Sequence, residues 1–387
     1  MTKRTLLLWL LFASTNAAAY PWMLRHQLTT CATCHVDPSG AGQLTTFGRL
    51  ESELLVRWTP TPVAEPMKNA GFLWFAQLPA AVNLSGNLRF GALVQPGGAR
   101  PVIPLEMAAD LAATFTIADK VVVHGTGGFG RRDAAAPAIV VPHCEPSAPG
   151  ECGASFVART WWVGAKAVND TVFVRGGRIP VPFGLRNNEH STWVRALTLT
   201  DTNAQQRLGV AASYSSGAVR AEVMGIASTT LLDTREQGYA AFGEYSFTTT
   251  TSLGVSSLVA SRSALDPPAA FTSRQAHGAF FRWAPVPSLA VLAEADLLAW
   301  AGVSPDRLGY AAFAQADWEP LQGLHVMLTA ESAHRGEGQR GPSFGAWVSA
   351  AWYFFSHFEL RLDNVVRRID AASPLSYSLV AQLHLYL

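Results

Sequence analysis

The sequence predicts an all-β protein: an antiparallel transmembrane β-barrel of about 16 strands, preceded by a small N-terminal segment with one short helix. Three observations predict it. From about residue 79 onward, segments of ten or more residues alternate apolar and polar side chains, the length and pattern of outer-membrane strands. The connections between them alternate tight turns with long loops, the asymmetry of such barrels. Mean hydropathy is positive at +0.15 and charged residues are only 15%, yet no internal run reaches the ~18 continuous apolar residues of a membrane helix. A soluble β-sandwich would account for neither the strand length nor the loop asymmetry.

The chain opens with Lys3 and Arg4, an apolar run from Leu6 to Ala13 and the small residues Ala17, Ala18 and Ala19. That is the pattern of a secretory signal peptide over 1–19, with an apolar core too short to span a bilayer. Export and a barrel together predict the outer membrane of a Gram-negative cell, with lipid as surroundings. A net charge of +1 gives no reason to expect a nucleic-acid partner.

Residues 20–78 form the second unit. Cys31-Ala-Thr-Cys34-His35 is the spacing that attaches a c-type haem: each thiol forms a thioether to one vinyl group, and the adjacent imidazole is the proximal iron ligand. A thioredoxin-like motif wants a βαβ context and a zinc site wants a second ligand pair, and neither accompanies it. The expected cofactor is therefore one covalent haem c on Cys31 and Cys34, with His35 on the iron. The sixth position is open. Candidates are Met23, His26, Met67, His325 and His384, with His26 first because imidazole is a common ligand and it lies close in sequence.

A helix is expected over 46–57, capped by Thr45 or Thr46, with Phe47, Leu50, Leu54, Leu55 and Trp58 at helical spacing. Pro60, Pro62 and Pro66 end it and make a linker. So short a segment cannot build a large core, so it is expected to lean on something else, either in the periplasm or within the barrel lumen.

The barrel occupies 79–387. Its strands read as 79–94, 103–117, 120–130, 155–168, 171–181, 205–214, 217–228, 237–248, 250–262, 275–285, 287–299, 307–318, 322–334, 343–355, 358–369 and 376–387. Tight turns fall at Ala118-Asp119, Asn169-Asp170, Ser216-Gly217, Thr249, Val286-Pro287 and Ser356-His357. Alternation turns Tyr377, Leu379, Leu383, Leu360 and Leu362 to lipid. It turns Glu106, Asp110, Glu294, Asp296, Glu359, Arg361, Asp363, Arg367, Gln382 and His384 to the lumen. Such a mixed polar lumen is ordinary for a porin, and no catalytic residue is assigned in it.

Three further features lie in or between strands. Cys144 and Cys152 bracket a turn-rich stretch and are expected to form a local disulfide in an oxidising compartment. The glycines of 125–130 lack the βαβ context of a dinucleotide loop and read as strand glycines. The Pro- and Gly-rich stretch 176–195 reads as a loop leaving the rim and folding inward. Its Arg186, Glu189, His190 and Arg195 are candidates to touch a substrate or haem propionates, or to build a structural constriction.

The run Pro21, Arg25, Cys31-Ala-Thr-Cys34-His35, Pro38, Leu44-Thr45 and Phe47-Gly48-Arg49, followed by sixteen strand segments, resembles the fused outer-membrane cytochrome–porins. Their best-known members are the iron oxidases of iron-oxidising bacteria. The resemblance implies a single haem in or at the mouth of the barrel. It also implies partners on both sides: an extracellular electron donor, ferrous iron among the possibilities, and a periplasmic c-type cytochrome. Two expectations of different class follow: an electron-transfer protein with possible oxidoreductase activity, or a passive porin whose haem segment is a sensor, cap or docking module.

Overall fold

The computed structural model describes residues 21–40, 42–59, 65–72, 78–96, 101–130, 155–186, 192–201, 205–227, 236–262, 272–302, 307–336 and 339–386. The expected signal peptide and the Cys144–Cys152 pair lie outside these residues.

Sixteen antiparallel strands close into a barrel, each paired with its sequence neighbour and β1 with β16. The first half is β1 (Val82–Val94), β2 (Val102–Ile117), β3 (Val121–Gly130), β4 (Ser155–Ala167), β5 (Val172–Pro180), β6 (Gln206–Ser216), β7 (Val219–Ile226) and β8 (Glu236–Thr248). The second half is β9 (Thr251–Arg262), β10 (Ser273–Val286), β11 (Leu289–Ala301), β12 (Arg307–Leu321), β13 (Leu324–His334), β14 (Ser343–Phe355), β15 (Phe358–Arg368) and β16 (Ser376–Tyr386). Closure comes from the β1–β16 ladder, with Asn87 opposite Tyr386 and Val94 opposite Leu379. A closed barrel satisfies every strand edge, as lipid requires.

The tight turns have the positive φ that two-residue hairpins need: 50° and 58° at Ala118 and Asp119, 52° and 65° at Asn169 and Asp170. They mark one rim, which also holds the start of β1 and the end of β16. Phe115, Tyr214, Tyr245, Trp283, Trp318 and Trp352 are exposed near that rim, each close to the end of an even-numbered strand. They form an interfacial aromatic girdle. Between the rims the exterior is aliphatic, with Leu111, Val163, Val210, Val255, Leu297, Leu328 and Val348 exposed. A wall apolar outside and charged inside is stable only in a bilayer, so the barrel sits in the outer membrane with the tight turns periplasmic.

Glu294, Asp296, Glu359, Arg361, Asp363 and His384 are buried in the interior, as alternation predicts. One stretch departs from it. In β2 the register shifts so that Arg89 faces Ala108 but Phe90 faces Glu106, leaving Met107 as an extra residue. A bulge of this kind swaps the faces beyond it, and Leu105 becomes buried against Leu93 and Val380. The side chain of Glu106, expected inside, lies outside the described residues.

Residues 21–58 fill the periplasmic half of the lumen as a plug. Its helix α1 (Thr46–Glu51) starts at Thr45, whose hydroxyl accepts from Gly48 N–H at 3.0 Å, and continues in a wider turn over Ser52–Val56. The predicted apolar stripe is not its buried face. Phe47, Leu54 and Trp58 are 39%, 40% and 37% exposed, whereas Gly48, Arg49, Ser52, Glu53 and Val56 are buried. The reason is the surroundings: Arg49 and Glu53 meet polar groups of the lumen wall, while Val56 and Leu55 join an apolar cluster with Met327, Ala351 and Tyr353.

Polar contacts dock the plug. Asn83 Nδ2 donates to Leu44 O at 2.7 Å, and Gln43 Nε2 donates to Asn83 O at 2.9 Å. Arg282 donates to Thr29 O at 3.1 Å, and Ser356 Oγ donates to Glu53 at 2.8 Å. Wall guanidiniums reach Asp37 from Arg175 (2.9 Å) and Cys31 Sγ from Arg220 (2.7 Å). A sixteen-stranded barrel is wide enough for a water channel, which is why this much chain fits inside.

Candidate functional site: the lumenal cavity at Cys31–His35

The motif is folded by local hydrogen bonds. The N–H groups of Cys34 and His35 both donate to Cys31 O, at 3.1 and 2.9 Å, closing a tight turn that brings the three side chains together. Thr45 then ties α1 to the turn: its N–H donates to Cys34 O at 2.8 Å and its hydroxyl donates to Thr33 O at 2.8 Å. Two glycines make room. Gly40 has φ +93° and a Cβ there would lie 3.1 Å from Cys31 Sγ; a Cβ on Gly48 would lie 2.3 Å from Cys34 O. Cys31 and Cys34 are both buried and are thiols, not a disulfide.

His35 lines a cavity of about 200 Å³ between the plug and the wall formed by β1–β4 and β16. From the plug come Met23, Gly48 and Arg49; from the wall come Asn87, Arg89, Asp110, His124, Arg159, Trp162 and His384. Arg186 closes the side facing the outer half of the lumen. Burial lowers the guanidinium pKa of both Arg49 and Arg186 to about 10. Arg159 is paired to Asp110 at 2.6 Å, but Nε and Nη1 of Arg186 are buried with no hydrogen-bond partner among the described residues.

This site fits a covalently held porphyrin. Two thiols and an imidazole stand at the required spacing, the imidazole lines the cavity, and two donor nitrogens of the buried Arg186 at its edge have no acceptor among the described residues. Among the described residues no cluster of three or more His, Cys, Asp and Glu side chains is arranged to hold a bare metal ion.

The structure separates the sixth-ligand candidates. Met23 lines the cavity and is fully buried. His26 is not among its lining residues; it stands 3.8 Å from Glu319, and burial lowers its pKa. His325 bonds Asp317 at 3.0 Å, also away from the lining. His384 lines the cavity, with both ring nitrogens engaged, to Glu359 at 3.0 Å and Asn87 at 2.8 Å. The side chain of Met67 lies outside the described residues. His124, not picked out from the sequence, also lines the cavity; it bonds Thr114 at 2.9 Å and Thr126 at 3.1 Å and stacks on Trp162. Period-two alternation through Val122, His124 and Thr126 was the available signal for it.

The stretch after β5 does fold inward. Val181, Phe183 and Leu185 are buried, and helix α2 (Trp193–Thr198) packs inside, with Trp193 N–H donating to Glu331 at 2.8 Å. Arg195 pairs with Glu294 and donates to Thr200 Oγ1 at 3.0 Å, so it anchors the loop. Arg186 alone of the two described arginines faces the cavity. Glu189 and His190 lie outside the described residues.

Comparison with solved structures returns outer-membrane barrels. A loop-deletion form of OmpT from Vibrio cholerae matches with TM-score 0.60 at 10% identity, over 79% of this chain and 99% of that one. The outer-membrane channel DcaP of Acinetobacter baumannii matches with TM-score 0.56 at 10% identity, over 79% and 97%. Salmonella typhi OmpF matches with TM-score 0.58 at 10% identity, over 79% and 97%. The fold is a porin-type barrel. No protein-family model and no curated protein matches the chain.

Proposed function

We propose that the chain is an outer-membrane electron-transfer protein that carries one haem c and moves electrons between an extracellular donor, ferrous iron among the candidates, and a periplasmic c-type cytochrome. The observation that carries this reading is the Cys31–Cys34–His35 turn inside the lumen, its two thiols buried and its imidazole lining a cavity edged by the buried Arg186. When bound, the haem supplies a one-electron couple at that point. The chain's own residues do the rest. Cys31 and Cys34 tether the ring, His35 holds the iron, and Arg49, Arg89, Arg159 and Arg186 offer positive charge to its carboxylates. The plug and the buried residues Val181, Phe183 and Leu185 flank the site, while α1 keeps it close to the periplasmic rim. A partner docked at that rim would be near the tethered ring, which tunnelling demands.

The second reading is a passive channel whose plug is a cap, sensor or docking module. The likeness to porins and to the DcaP channel favours it. The two readings part on one property, a redox-active covalent haem. The purified chain, expressed where cytochromes mature, is expected to stain for haem on a denaturing gel, and Cys31→Ala with Cys34→Ala to abolish the stain. An unstained wild-type band would remove the electron-transfer reading and leave the channel.

A further inference from the structure

Arg186 is a costly residue with no visible return. The residue is 7% exposed, and burial of a charge that is bonded to no carboxylate is costly. Only Nη2 is used: it donates to Val181 O and, at 3.3 Å, to Ser39 Oγ. Nε and Nη1 have no acceptor among the described residues. The nearby carboxylates accept no hydrogen bond from it, although Asp37 Oδ2 and Glu294 Oε1 are themselves buried without a partner among the described residues. Asp37 and Glu222 both hold Arg175, at 2.9 and 2.8 Å, and Glu294 holds Arg195. Two donors without an acceptor among the described residues, on a buried cation at the edge of a cavity, suit an anionic ligand.

The position identifies which anion. Arg186 lines the cavity that His35 lines. It is also next to the tether, since a Cβ placed on Gly40 would lie 3.1 Å from Cys31 Sγ and 3.6 Å from Arg186 Cβ. We propose that Arg186 binds a carboxylate of the porphyrin tethered at Cys31 and Cys34, so that the inward segment 181–186 holds the cofactor from the side opposite the periplasm. The inference rests on the haem reading above and adds a residue, a ligand group and a role for the loop. A buried positive charge beside the ring favours the reduced state. Arg186 therefore raises the reduction potential as well as fixing the ring. The bond to Ser39, two residues from Asp37, links the loop to the plug through the same contact.

The test is redox titration and resonance Raman spectroscopy of the haem-loaded protein, comparing wild type with R186Q and R186K. Haem staining and the heat-modifiable gel shift of the barrel establish attachment and folding in each. R186Q is expected to lower the potential and shift the propionate bending band; R186K keeps the charge and is expected to shift the band with a smaller change in potential. Haem-loaded R186Q with wild-type potential and wild-type propionate band overturns the proposal. So does a wild-type potential that moves with added phosphate at fixed ionic strength, because Arg186 would then hold a mobile anion. If R186Q does not fold, an unchanged propionate band in R186K is decisive against it. Absence of haem from the wild type overturns the underlying reading instead, and the stain separates that case.

Discussion

Arg25 Nη2 lies 2.7 Å from Asp317 Oδ2, and both side chains are completely buried. One belongs to the plug and the other to the barrel wall. Arg25 adds a bond to Glu319 at 3.2 Å and packs against the Trp22 ring, whose other neighbour is His325 at 4.4 Å. A segment too short for its own core has borrowed the lumen's charges, and it is held by pairing as well as by apolar burial.

Breaking that pair is expected to loosen the plug without unfolding the barrel. Asp317→Ala leaves a buried guanidinium with one carboxylate fewer, a loss of about 3–5 kcal/mol for buried pairs when one partner is removed. In detergent-solubilised protein, residues 21–58 should become protease-sensitive while the barrel keeps its gel shift. Equal protection in the variant would mean the pair does not hold the plug.

Gly48→Ala tests the helix–motif contact. The new Cβ would meet the carbonyl oxygen of Cys34 at 2.3 Å and its Cα at 2.9 Å, and backbone atoms cannot step aside as a side chain can. Overpacking of this kind costs about 1–3 kcal/mol or more. Haem stain per folded barrel should fall several-fold; undiminished stain would show that the approach of α1 to Cys34 is not required.

Axial ligation separates Met23 from His26. Because Met23 faces the cavity and His26 does not, Met23→Ala is expected to convert a low-spin ferric spectrum to high-spin and lower the potential, with His26→Ala near wild type. The reverse pattern would restore His26 as the ligand.

Much of this architecture was legible from sequence because a barrel strand announces itself locally. Alternation and turn residues such as Asn169-Asp170 and Ser216-Gly217 set all sixteen strands to within three residues of their observed ends. The turn at Cys31–His35 is local in the same way, closed by hydrogen bonds within five consecutive residues. What stayed hidden depends on distant partners. The bulge at Met107 reverses the faces of β2 by one unpaired residue that no local pattern marks. The buried face of α1 is polar because Asn83 and Leu84 await Arg49 there, so hydrophobic periodicity pointed to the wrong side. Arg186 and Arg195 look alike in sequence; only the position of Glu294 makes one an anchor and leaves the other facing the cavity.

Removal of the plug bears on the channel reading. A barrel of sixteen strands without its filling should leave an aqueous lumen. Deletion of residues 21–58 is expected to raise single-channel conductance in planar bilayers well above that of the full chain, with the inward residues 181–186 and helix α2 still narrowing the pore. Equal conductance would show that the plug does not obstruct the lumen.

The central claim, that the lumenal motif passes electrons across the barrel, is tested most directly in vesicles. Protein reconstituted with the periplasmic rim facing inward, around an enclosed c-type cytochrome, is supplied outside with a membrane-impermeant reductant or ferrous iron. Reduction of the enclosed cytochrome is expected with the wild type and not with the Cys31→Ala, Cys34→Ala double variant. No reduction with haem-loaded wild type, or equal reduction with the double variant, would contradict it.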